Sequence, residues 1–166
     1  MDVGAGLGVF LARLHEQAGG RVVTVAVEPD PQAARHLRGI GIESVIEKRF
    51  EEAGTALGVA DVVTLNKVVE HVPRPIEFLE GVARTLSAGF AYVEVPDKLS
   101  VFLRPPDDNI LGALHCHLYC PRSLSLLVEH AGLEPLLVER IHEPSGKLTV
   151  YAFAARPDAV KRRWKQ

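Results

Sequence analysis

Cysteine is scarce. The chain of 166 residues holds two, Cys116 and Cys120, too few for a disulfide framework, which points to a reducing compartment. Long apolar runs are missing too: none approaches the roughly 20 residues of a membrane span. No basic segment followed by an apolar one opens the chain, so no signal peptide is expected. Neither charge sign is in excess, and a formal net charge of −2 gives no pull toward nucleic acid or a membrane surface. The expected location is the cytoplasm. What is present suits one globular domain with a real core: 47% hydrophobic and 24% charged residues, with no internal repeat.

The most informative stretch is the first. Asp2 and Val3 read as the end of a strand, Gly4 to Gly8 as a tight turn, and Leu7, Phe10, Leu11 and Leu14 recur at helical spacing. A strand, a glycine turn and a helix together aim backbone N–H groups at a ligand. The dinucleotide pattern G-x-G-x-x-G is broken, because Val9 stands where its last glycine belongs. The pattern present is D-x-G-x-G-x-G, and an acid at the strand tip repels a pyrophosphate but suits an ammonium. A nicotinamide-dependent oxidoreductase is thereby disfavoured. The stretch resembles motif I of the class I S-adenosylmethionine-dependent methyltransferases, whose cofactor carries an ammonium and no phosphate.

The rest of the chain alternates strand and helix signals. Arg21 to Val27 is a β-branched run ending at Glu28-Pro29-Asp30. An acid about 20 residues past a glycine turn is placed to hold ribose hydroxyls, which assigns that role to Glu28. Asp30 reads as the N-cap of a helix from Pro31 to about Arg38. Glu43 to Glu47 and Asp61 to Leu65 are further strands, and Asn66 and Lys67 leave the second of these at its carboxyl end, where ligands bind in open parallel sheets. Ile76, Leu79, Val82, Ala83 and Leu86 form a helical stripe, with Gly89 past its end and a strand from Phe90 to Val95. Lys98 to Leu114 is the least regular region and reads as a lid or binding loop. A helix from Pro121 to His130 and two strands, Leu136 to Ile141 and Leu148 to Ala155, complete the domain; the short return at Pro144-Ser145-Gly146 makes that pair antiparallel. The expected fold is α/β: a Rossmann-like three-layer sandwich around a mostly parallel seven-stranded sheet with an antiparallel last strand. The domain spans 1–156, and 157–166 is a basic, solvated tail.

The resemblance extends well past motif I. Asp61 to Leu79 is similar to the methyltransferase segment "DVV-x-x-x-x-V-x-EHV-x-x-P-x-x-FL". Glu94-Val95-Pro96-Asp97, then His115-x-His117, Ser123-Leu124 and Ala131-Gly132 follow in the order seen in small-molecule and sugar-modifying members. It implies a site of Asp2, Gly4, Ala5, Gly6, Gly8, Glu28, Pro29, Phe50, Asn66 and Lys67 around S-adenosyl-L-methionine, with His115 and Tyr119 toward the acceptor. Many relatives place an aspartate at the adenine; here Lys48-Arg49-Phe50 stands there, and Phe50 reads equally as a stacking ring or a core aromatic. These enzymes usually carry helices before motif I, so the chain reads as N-terminally short.

Methyl transfer is an in-line displacement at a carbon already activated by the sulfonium, and a base is needed only where the acceptor must lose a proton. His71 and His117 are the base candidates, His71 reading also as a residue that holds its loop. No metal is expected: His115 and His117 are two apart, a poor zinc spacing, and Cys116 of the Cys116/Cys120 pair would point away from both in an extended segment. The expected function is methyl transfer to a small-molecule or sugar-like acceptor, the alternative being a shortened, inactive module that holds the cofactor or a partner. No nucleic-acid or membrane partner is expected.

Overall fold

The computed structural model describes residues 1–19, 21–105 and 114–163. Residues 106–113 of the expected binding loop, residue 20 and the terminal residues 164–166 lie outside them. The elements are β1 (Asp2–Val3), α1 (Val9–Ala18), β2 (Val25–Val27), α2 (Pro31–Gly39), β3 (Ser44–Ile46), α3 (Phe50–Ala53), β4 (Ala60–Asn66), α4 (Pro75–Thr85), β5 (Leu86–Pro96), α5 (Ser100–Leu103), α6 (Pro121–His130), β6 (Glu134–His142), β7 (Leu148–Ala155) and α7 (Pro157–Arg163). No helix among the described residues is long and apolar enough to cross a membrane.

Seven strands form one sheet in the order β3-β2-β1-β4-β5-β7-β6. The pairs from β3 through β5 are parallel, and β7 runs antiparallel to both β5 and β6. The expected α/β sandwich with its antiparallel last strand is the fold observed. Alternation along the strands sets the two faces. Ala26 packs with Leu11 of α1, Leu37 of α2 and Ile42. Its neighbour Val27 turns to the larger cluster, where Phe78, Leu79 and Val82 of α4 and Leu124, Leu127 and Val128 of α6 cover Val63, Leu65, Ala91, Val93 and Ala152. The near-continuous apolar runs of β4 and β5 reflect this burial.

Three boundaries differ from the sequence reading. β2 is three residues rather than the run from Arg21. α1 starts at Val9, with Gly8 left-handed at its N-cap (φ 74°). Leu7 therefore lies in the turn, 63% exposed, and Phe10 is also exposed, so Leu11 alone of the expected stripe is fully buried. Helix α4 ends at Thr85, and β5 begins at Leu86 and runs through Gly89. A Cβ at Gly89 would fall 1.6 Å from the Asp61 carbonyl oxygen, so this glycine marks a close approach of β5 to β4, where the register also shifts between Ala60 and Val62. It is not a helix stop.

Candidate active site

The carboxyl ends of β1, β2, β4 and β5 converge on one edge of the sheet, which collects the residues singled out by the sequence. At the first turn, Gly4 and Ala5 donate backbone N–H groups to the Val27 carbonyl at 2.8 and 3.3 Å, locking the turn onto β2. Glu28, at the tip of β2, is buried. One oxygen accepts from Gly6 N–H at 2.7 Å and the other from Asp30 N–H at 2.9 Å. A carboxylate has about four acceptor sites, so Glu28 can clamp the turn and still receive a ribose diol. Asp30 caps α2, accepting from Gln32 and Ala33 N–H at 2.9 and 2.8 Å, with Pro31 in the first turn. Pro29 lies between these two acids.

Asp2 faces the same side of the sheet as Ala26, its register partner. Its Oδ1 accepts from Thr64 Oγ1 at 2.6 Å and Asn66 Nδ2 at 3.1 Å, joining the tips of β1 and β4. Burial pushes its carboxyl up to about 6, against the pull of those two hydrogen bonds. An ammonium beside it would favour the ionised form. The turn also leaves room for a ligand: a Cβ on Gly6 meets nothing within 4 Å, whereas one on Gly4 or Gly8 would strike Val68 or Leu37.

Two residues expected at the cofactor make contacts of their own within the fold. Phe50 is a core aromatic, its ring 5.1 Å from that of Phe78. Lys67 sits at φ 58° and sends its ammonium to Glu94 at 3.1 Å and Glu143 at 3.0 Å. There Thr149 hydrogen-bonds both Lys67 and Glu143. Burial raises Glu143, but hydrogen bonds from Thr149, Lys67 and Ser145 and the charge of Lys67 outweigh it and bring the carboxyl to about 2. Lys67 thus ties the β4 exit to the β6–β7 hairpin.

On the other side of that exit, Val69–His71 forms a 3-10 turn against residues 114–119. The Glu70 carbonyl accepts from Cys116 N–H at 2.7 Å and His117 N–H at 3.3 Å. The rings of His71 and His115 lie 4.7 Å apart, and those of His117 and Tyr119 lie 6.1 Å apart. The His117 Nε2 and the Tyr119 hydroxyl are buried without hydrogen-bond partners. Burial raises the Tyr119 hydroxyl above its usual range, and the charge of Glu70 adds to the effect. Burial likewise pushes the Glu70 carboxyl up to about 7. The sequence reading passed over Glu70 as part of a motif. Its signal was an ionisable residue between apolar Val68-Val69 and Val72. The cysteines weighed as metal ligands are free thiols; among the described residues, the ligand atoms that do gather are those of Glu70, His71 and His115.

The family described as a methyltransferase domain matches residues 1–138. No curated protein matches the chain. Solved structures similar in fold include a SAM-dependent methyltransferase from Archaeoglobus fulgidus, at 17% identity and a TM-score of 0.72, covering 92% of this chain and 83% of that one. The 16S rRNA (adenine(1408)-N(1))-methyltransferase W203A mutant from Catenulisporales acidiphilia has 17% identity and a TM-score of 0.70, covering 93% and 83%. The plantazolicin methyltransferase BpumL, solved in complex with a pentazolic desmethylPZN analog and SAH, has 12% identity and a TM-score of 0.77, covering 93% and 75%.

Proposed function

The chain belongs to the methyltransferase-domain family, and from that premise we propose that it transfers a methyl group from S-adenosyl-L-methionine to a small-molecule or sugar-like acceptor. The cofactor is S-adenosyl-L-methionine, which when bound supplies a methyl already activated by its sulfonium. The observation that carries the reading is the open space at Gly6: its missing side chain leaves room directly beside the clamped Glu28 carboxylate. In that space Glu28 receives the ribose hydroxyls, Asp2 and Asn66 stand toward the ammonium end, and Gly4 to Gly8 bring backbone close to the ligand. The protein's task is alignment of acceptor and methyl.

The acceptor enters from the side of Glu70, His71 and residues 115–119. His71 and His117 are the base candidates there for an acceptor hydroxyl. A net charge of −2 supports a small acceptor over a nucleic acid, and the free thiols are in keeping with a cytoplasmic setting. Calorimetric titration with S-adenosylhomocysteine tests the reading. Wild type binds, Gly6→Val abolishes binding, and Glu28→Ala weakens it by about 1–3 kcal/mol through lost charge-assisted hydrogen bonds. Unchanged affinity in both variants would place the site elsewhere. Binding with no turnover of methyl donor on a panel of hydroxylated small molecules would favour a holding module.

A further inference from the structure

Among the described residues, Glu70 is the buried acid whose carboxylate is left without a hydrogen bond. It is 1% exposed, and neither carboxylate oxygen has a hydrogen-bond partner. A buried acid left in this state is costly and calls for a partner. Lys67 would be the obvious one, but its ammonium is held by Glu94 and Glu143. What faces the carboxylate instead is a pair of imidazoles: one ligand atom from each of Glu70, His71 and His115 lies within 4.8 Å of the other two. Donors about 2.1 Å from one ion sit roughly 3–4 Å apart, so modest rotations of the exposed His71 and half-buried His115 close the set.

We propose that Glu70, His71 and His115 form a binding site for a divalent transition-metal cation. Two imidazoles and one carboxylate suit zinc, cobalt(II) or iron(II), whereas magnesium and calcium prefer all-oxygen sites. Three protein ligands leave open positions, as in catalytic rather than structural metal sites. The Nδ1 of His71 lies 3.4 Å from the Leu114 carbonyl. A proton on that nitrogen would give Nε2 to the ion, so with metal bound His71 serves as a ligand and His117 is left as the base candidate. The sequence alone pointed away from metal because it weighed neighbours in the chain. The ligands come instead from two distant segments, joined by the hydrogen bonds from Cys116 and His117 to the Glu70 carbonyl. The site would stand in a chain with no methyl-transfer activity, so it is tested without cofactor.

Zinc chloride titrated into the chelator-stripped full chain should bind at one site, weakened about tenfold or more by His71→Ala and by Glu70→Gln. His36→Ala, on the exposed face of α2, should leave affinity unchanged. Cobalt(II) should give visible d–d absorption that is lost in His71→Ala. Because His71 is exposed, its removal should leave the melting temperature unchanged and decides the matter even if Glu70→Gln does not fold. No zinc binding to wild type, or wild-type affinity in His71→Ala, overturns the proposal.

Discussion

A Cβ added at Gly8 would come 2.5 Å from Leu37 Cδ2, and one at Gly4 would come 2.6 Å from Val68 Cγ2, while one at Gly6 meets nothing within 4 Å. The fold therefore needs the outer two glycines for packing, and on the proposed reading Gly6 is the one whose bareness serves a ligand. Gly8→Ala combines left-handed strain with overpacking and should cost about 2–4 kcal/mol in urea denaturation. Gly6→Ala should cost only about 1–2 kcal/mol of strain yet lower affinity for S-adenosylhomocysteine markedly; equal effects of the two on stability would contradict this division. Asp2 gives a second test. Burial raises its carboxyl from the ordinary 3.8 to about 6, so the folded state holds a proton that the unfolded chain has released. Its contribution to stability is full below pH 4 and is lost as pH rises toward 6, about 3 kcal/mol in all. Asp2→Asn should flatten that slope and stabilise the protein at pH 7.5 while weakening the cofactor analogue's binding. A variant with the wild-type slope would show that Asp2 titrates normally.

The tips of β1, β2 and β4 are bound to one another by side chains as well as by the ladder. Glu28 joins β2 to the first turn, and Asp2 joins β1 to Thr64 and Asn66 of β4. These contacts fix the carboxyl edge of a sheet whose first strand has only two residues. The β4–β5 pair depends on Gly89 in a different way, because its backbone lies against Asp61. Gly89→Ala should force the strands apart and cost about 3 kcal/mol or more, near the upper end for overpacking, read as a fall in the urea midpoint. A change within about 0.5 kcal/mol would mean that the approach is looser than described.

At the scale of the molecule, the legible parts were those encoded locally. Buried parallel strands read as apolar runs, α6 and β7 were placed at their observed ends by Pro121, His130 and the Leu148 to Ala155 run, and the turn at Gly4 to Gly8 carries its own chemistry. Gly89 misled because a glycine after an apolar helical stripe looks like a stop until its strand neighbour is known. Phe50 had two readings, and its packing on Phe78 supports the core one in a way no spacing records. Lys67 and the acceptor side were hardest, since Glu143, Thr149, His115 and Tyr119 reach them from distant segments and no spacing records that approach. Chain order thus exposes contacts made within one turn, such as Glu28 to Gly6, more readily than those assembled from distant segments. A crystal structure of the chain grown with S-adenosylhomocysteine bears on the whole account at once. The account predicts the nucleoside over Gly6 with its ribose hydroxyls on Glu28; a space there that stays empty at saturating ligand, or a nucleoside bound away from Glu28, would contradict it.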